Sequence, residues 1–171
     1  VARISGKVID LSEMASVRHT YPLKAEMYLR HHGLHQFGPG SLCHDVLNAV
    51  RNYGMVPEAD YTGLDEGETE FNHGELDAVL AAAVKAMSEQ KVLSDDWRDA
   101  VDGICDAYLC ELPRSFIFEN KRYTPASFRD MLGINANDYV SITSFSHHPF
   151  GASFALEVPD NFSRGEYLNV A

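Results

Sequence analysis

Between Phe37 and Pro57 the chain reads FGPGSLCHDVLNAVRNYGMVP, and no other stretch restricts the fold as much. A glycine-rich turn leads into one periodic helix, a glycine stop and a short apolar exit. Leu42, Val46, Val50 and Tyr53 recur at three- to four-residue spacing, which predicts a helix carrying them on one face. Ser41 stands where a hydroxyl can cap the first turn by accepting a free backbone N–H. Gly54 ends the helix in the left-handed conformation that glycine adopts cheaply. The turn itself, Gly38-Pro39-Gly40-Ser41, offers exposed backbone N–H and C=O groups with little side chain in the way.

The flanking segments are read in the same way. Ser12 is expected to cap a short helix through Arg18, and Pro22 to open a second one that Gly33 ends after His31-His32. Those two histidines would sit in a last turn, where protonation complements the helix dipole. Residues 62–71 (TGLDEGETEF) are polar and acidic and read as a loop. Asn72 followed by Glu75 has capping-box spacing ahead of Leu76, Val79, Leu80, Ala83, Val84 and Met87. Ser94 is expected to open a further helix with Trp97, Val101, Ile104, Tyr108 and Leu112 inside. Together the two form a predicted helical hairpin. Phe116 and Phe118 alternate with polar residues and turn back at Asn120-Lys121, as in a β-hairpin. Thr124-Pro125 begins a short helix stopped by Gly133. Tyr139–Phe145 and Ser153–Val158 are β-rich and joined through His147-His148-Pro149-Phe150-Gly151. Helices first and a beginning sheet afterwards define an α+β chain.

Composition narrows the function classes. With 45% hydrophobic and 23% charged residues over 171 positions, the chain has globular proportions. A formal charge of −11 argues against nucleic acid as a partner, since such affinity rests on Lys and Arg neutralising phosphates. It also disfavours an anionic membrane surface. No run approaches the ~18 apolar residues of a membrane span. Three cysteines, Cys43, Cys105 and Cys110, imply no disulfide framework and favour a reducing, cytoplasmic compartment over a secreted or periplasmic one. Val1 is not a start residue and Ala171 follows no terminal punctuation, so the chain is expected to be a segment of something longer.

Several constellations invite chemistry. Cys43-His44 suggests a nucleophile and its base, but neighbours on a helix point about 100° apart and do not meet within ~3 Å. His31 and His35 share an i, i+4 spacing, yet Gly33 interrupts it and, with His32 and His44 weighed too, no third ligand falls at a metal-site interval. His147-His148 reads as a turn tip. The acidic run Asp65-Glu66-Gly67-Glu68-Thr69-Glu70 lacks the alternating ligands of a calcium loop. The glycine turn opens a helix without a nearby Lys or Arg or a P-loop pattern, which excludes a phosphate cradle. It suits pairing with an extended peptide main chain instead. No cofactor or metal is expected.

At this point the motifs join into a resemblance. Leu11-Ser12-Glu13, then Gly40-Ser41, the helix closed by Asn52-Tyr53-Gly54, and Val56-Pro57 resemble the cleft wall of papain-like cysteine peptidases. Arg122-Tyr123-Thr124-Pro125 with Phe128, Asp138-Tyr139-Val140-Ser141-Ile142 and Tyr167-Leu168-Asn169-Val170 narrow the resemblance to the bleomycin hydrolase or aminopeptidase C branch. It implies a partial papain-like fold in which a helical domain with a helical insertion leads into a β-barrel-like domain. Residues 1–61 would belong to the helical domain, 62–135 to the insertion and 136–171 to the first strands of the β-rich domain. The implied activity is peptide hydrolysis by thiolate attack, mostly at peptide N-termini, in assemblies that are often hexameric. The resemblance places the nucleophilic Cys and its Gln before Val1 and the His and Asn after Ala171. No catalytic residue falls within the chain, and the segment alone is expected to be inactive. It makes Gly40 and Ser41 partners of peptide-substrate backbone, with Leu42 and Cys43 bordering a side-chain pocket. Ser41 replaces the family's second Gly. The alternatives are a catalytically inactive peptide-binding or structural descendant, and a self-contained helical interaction module.

Overall fold

The computed structural model describes all 171 residues. The longest element departs from the sequence expectation. Ser12 caps as foreseen, its hydroxyl accepting the Ala15 N–H at 3.0 Å. The helix it opens, however, runs unbroken from Glu13 to Arg30 (α2, following the single turn α1 at Ala2–Ser5), with Pro22 inside. An internal proline removes one backbone bond and crowds the carbonyl one turn back, at about 3 kcal/mol. Tertiary packing offsets this. Ala15 enters one core cluster, while Tyr21 and Ala25 enter another. Arg18, buried, donates to Asp102 Oδ1 at 2.9 Å and Asp106 Oδ1 at 2.8 Å. A local breaker signal is overruled when both flanking half-helices are held this firmly.

Helix α3 spans Cys43–Tyr53, α4 His73–Ser88 and α5 Trp97–Leu109. Asn72 caps α4 as expected, accepting the Glu75 N–H at 3.2 Å and donating to its carboxylate at 2.6 Å. The buried residues of α4 are Leu76, Leu80 and Val84; Val79 is exposed. On α5 the start lies at Asp96-Trp97 rather than Ser94, and the buried residues are Val101, Cys105 and Leu109. The expected stripe was thus rotated by one position: Ile104 and Tyr108 flank the core rather than fill it. Both helices close on Tyr21 and Ala25 of α2, so three helices share this cluster.

The second cluster centres on Phe128 of α6 (Pro125–Met131), which is fully buried. Phe116, Phe118 and Tyr123 meet its ring edge-on at 5.1, 5.1 and 5.8 Å. The first and third lie opposite each other in the hairpin of β1 (Phe116–Phe118) and β2 (Lys121–Tyr123). Its turn is Glu119-Asn120, both at positive φ as a tight two-residue hairpin turn requires, one position earlier than expected. Thr124 and Ser127 form the cap of α6.

The C-terminal sheet has the order β3–β5–β4, with β3 at Ser141–Thr143, β4 at Ser153–Ala155 and β5 at Glu166–Asn169. β3 runs parallel and β4 antiparallel to β5. The two β-rich segments shorten to three residues each, and β5, which no alternation announced, joins them. Asn169 holds the connection: fully buried, it accepts the Phe145 N–H and donates to the carbonyls of Phe145 and His148, all at 2.8–2.9 Å. Neither sheet is closed. No helix is long and apolar enough to cross a membrane.

The α4 register gives a direct test. Leu80→Ala removes a fully buried side chain and is expected to destabilise by about 3 kcal/mol, whereas Val79→Ala costs under about 1 kcal/mol. Denaturant unfolding of both variants checks this; equal losses would contradict the register.

Candidate functional site

The glycine turn packs across α2 and leads into α3. Ser41 does not cap that helix. Leu42 occupies the N-cap position, and Asp45 reaches back with its carboxylate to accept the Leu42 N–H at 2.9 Å. A carboxylate is the better partner here, since it satisfies a free N–H and also complements the positive end of the helix dipole. Ser41 is left exposed. Gly40 has φ 85°, a conformation that glycine alone takes without strain, although no neighbour lies within 4 Å of where a Cβ would stand. Gly54 is constrained twice: its φ is 95°, and a Cβ would lie 2.2 Å from the backbone of Pro125.

The apolar face of α3 is not its most buried one. His44, Asp45 and Ala49 are the buried residues, while Val46 and Tyr53 are 46% and 38% exposed. The periodicity was real, but it marks a groove. Val46 faces Ser16, Val17, Thr20 and Tyr21 of α2 across a space of about 300 Å³ whose rim is Gly40 and Ser41. A second groove of about 230 Å³ adjoins it, sharing Glu13, Ser16 and Val46, and ends at Val50, Tyr53 and Gly54. Of the residues singled out in the sequence, Gly40 and Ser41 reach the groove. Leu42 and Cys43 do not line it.

Lys24 fixes the turn from beneath. Only 5% exposed, it donates from Nζ to the Gly38 carbonyl at 2.5 Å and to the Gly40 carbonyl. Burial pushes its pKa down, opposed by Asp160, Asp45 and Asp77. With these carbonyls turned inward, the N–H of Gly40 and both the N–H and C=O of Ser41 have no partner within the chain. At the far groove His19 stacks on Tyr53 at 3.9 Å, nearly coplanar. Burial first, and the Arg18 charge second, push its pKa down to about 4, so it is neutral at physiological pH.

No thiol is hydrogen-bonded to an imidazole. Cys43 is exposed and makes no hydrogen bond with His44. Burial pushes Cys105 up to about 11 and Cys110 upward as well, the latter aided by a bond to Asp65. His44 is committed elsewhere. Its Nε2 lies 2.9 Å from Ser163 Oγ, whose hydroxyl donates to Asp45 Oδ1 at 2.5 Å. A Ser, a His and an Asp thus meet, but in the wrong order for acyl transfer. Because Ser163 gives its proton to Asp45, its oxygen accepts from Nε2–H, and His44 cannot act as its base. Nδ1 is buried without a partner, where an orienting carboxylate would be needed. The cluster fastens the start of α3 to the loop before β5. Gly165 allows it, since any Cβ there would overlap the imidazole.

His31 and His35 lie beyond the end of α2, their rings 5.3 Å apart, and His31 Nδ1–H is spent on the Met27 carbonyl. No group of three His, Cys, Asp or Glu could hold a metal ion. His148 stacks on Phe154 at 3.9 Å within a turn. Sequence reasoning missed Lys24, His19 and the Ser163 contact. For Lys24 a signal existed: it shares a helical face with Val17, Tyr21 and Tyr28, where a lone cation demands buried acceptors. Ser163 gave none, being 119 positions from His44.

The fold that carries this groove is shared with a solved structure. The solved structure of PepW from Lactobacillus rhamnosis HN001 (DR20) superposes with a TM-score of 0.69 over 99% of this chain, at 18% identity. The chain spans about half, 48%, of PepW. No protein-family model and no curated protein matches the sequence.

His19 gives a pH prediction. Its folded pKa of about 4 lies below the ordinary 6.5, so between these values the unfolded chain binds a proton that the folded chain does not. Stability therefore falls as pH drops from about 6.5 toward 4. In His19→Phe this part of the acid limb should disappear, leaving the carboxylate contribution. Unfolding midpoints from pH 7 to 4 measure it, and parallel curves for the two proteins would refute it.

Proposed function

We propose that this chain is the peptide-binding wall of a cysteine aminopeptidase of the bleomycin hydrolase or aminopeptidase C type. The observation that carries the reading is the backbone of Ser41: an N–H and a C=O on one residue, both unpaired, at the rim of an apolar groove. A single residue offering both groups can exchange two hydrogen bonds with one residue of an extended peptide, as in an antiparallel pair. The resemblance of the sequence motifs to that branch, and the fold shared with PepW across nearly the whole chain, support the same reading.

The chemistry assigned to the intact protein is thiolate attack on a peptide carbonyl, with a base that takes the thiol proton and donors that hold the oxyanion. None of the cysteines or histidines described above is placed for it, so those groups are assigned to parts of the protein outside Val1–Ala171. The partner is a peptide substrate, bound by the main chain at Gly40 and Ser41, with Leu42 and Cys43 at the outer border. The branch resemblance extends to a hexameric assembly and to a β-barrel-like domain that continues the open sheet.

The expected outcome is thiol-inhibitable release of N-terminal residues from peptides by the full-length protein and none by residues 1–171 alone. In the full-length enzyme, Ser41→Pro removes the N–H and should raise KM about tenfold, whereas Ser41→Gly leaves KM equal or lower. Peptidase assays with a cysteine-directed inhibitor decide it. A full-length protein that binds peptides but never cleaves them would favour the inactive descendant instead, and one that does neither would end the reading.

A further inference from the structure

A buried lysine at the base of a solvent-exposed turn needs an explanation. Carbonyls on an exposed turn are satisfied by water, so Gly38 and Gly40 do not require a protein donor. Lys24, by contrast, loses hydration when its head group is withdrawn from solvent, and does so only for a compensating geometry. The ammonium collects two carbonyls, two residues apart, on one point. That convergence curls the turn around the cation, and the positive φ of Gly40 makes the curl possible. The next residue, Ser41, lines the groove and is left with both main-chain groups unpaired.

We propose that Lys24 is a positioning residue for peptide recognition: by holding the Gly38 and Gly40 carbonyls inward it presents the Ser41 backbone to the groove. The inference rests on the peptide-cleft reading above and adds to it the group that sets the cleft's shape. Lys24 also lines the groove, but two of its donors are spent on the Gly38 and Gly40 carbonyls, and it takes part in no bond making. The charges of Asp160, Asp45 and Asp77 favour the ammonium without any of them forming an ion pair with it, and the Phe162 ring lies 5.8 Å away. Two of these carboxylates have other duties, Asp45 at the α3 cap and Asp77 as acceptor of the Tyr21 hydroxyl at 2.5 Å. A methionine at this position keeps most of the stem's packing and removes only the donors.

The test uses the full-length protein with Lys24→Met and Lys24→Arg. With Met, KM for a short peptide should rise about tenfold while kcat stays within about twofold, the pattern of lost binding that is equal in ground and transition states. Arg, which keeps a cation with donors, should return KM to within about threefold of wild type. The second readout needs no activity: brief chymotrypsin treatment should nick Lys24→Met after Phe37 or Leu42, and spare wild type and Lys24→Arg. An unchanged KM in Lys24→Met, or a fall in kcat that tracks the folded fraction in both variants, overturns the positioning role. If wild type has no peptidase activity the cleft reading falls, and the nicking pattern still decides whether Lys24 holds the turn. Equal resistance in all three proteins would show that it does not.

Discussion

Helix α2 and its two buried cations are what the rest of the structure hangs on. Arg18 and Lys24 lie six residues apart, so they leave the helix about 120° apart around its axis. Arg18 is bound to two carboxylates of α5, and Lys24 to two carbonyls of the glycine turn. Between them the helix is fixed in rotation: one side is committed to the α4–α5 cluster, the other to the turn and the groove. Pro22 sits within this span. A proline is tolerable there because the helix is held by long-range partners on either side and does not depend on each of its own backbone bonds.

This arrangement also explains which parts of the chain could be read in advance. Ser12, Asn72 and Thr124-Pro125 act through contacts a few residues away, and their caps appear as expected. The hairpin at Phe116–Tyr123 is equally local. The larger failures involve distant partners. Pro22 was overruled by packing, and the α5 stripe turned by one position to meet α2. Strand β5 was invisible because a four-residue strand flanked on both sides by others needs no alternation of its own.

The site shows the same division. Gly40 and Gly54 were legible because backbone conformation writes itself into composition: nothing but glycine sits easily at φ 85° or 95°. The stripe Val46–Val50–Tyr53 was legible as a pattern, but the pattern alone does not say what it faces. Periodicity reports an apolar face, and an apolar face may line a groove as well as a core. What covers the face is decided by elements elsewhere in the chain. Likewise Cys43-His44 drew attention by adjacency, whereas His44 is bound to Ser163, far along the sequence.

The proposed cleft has a consequence for specificity. A wall that offers main-chain donors and acceptors binds any extended peptide, since every residue but proline carries the matching N–H and C=O. Discrimination must then come from the space beside the wall, and that space is walled by Val17, Val46 and the ring of Tyr21. Apolar side chains gain from such a surface by burial alone, at roughly 25 cal/mol per Å². The −11 charge of the chain biases encounters in the same direction as it would for any basic peptide, toward positively charged ends. Ser41 limits both effects, because its Cβ stands at the rim where a second glycine would leave room. In the proposed cleft the same residue would supply both the backbone that pairs with any extended peptide and a side chain that narrows which peptides fit.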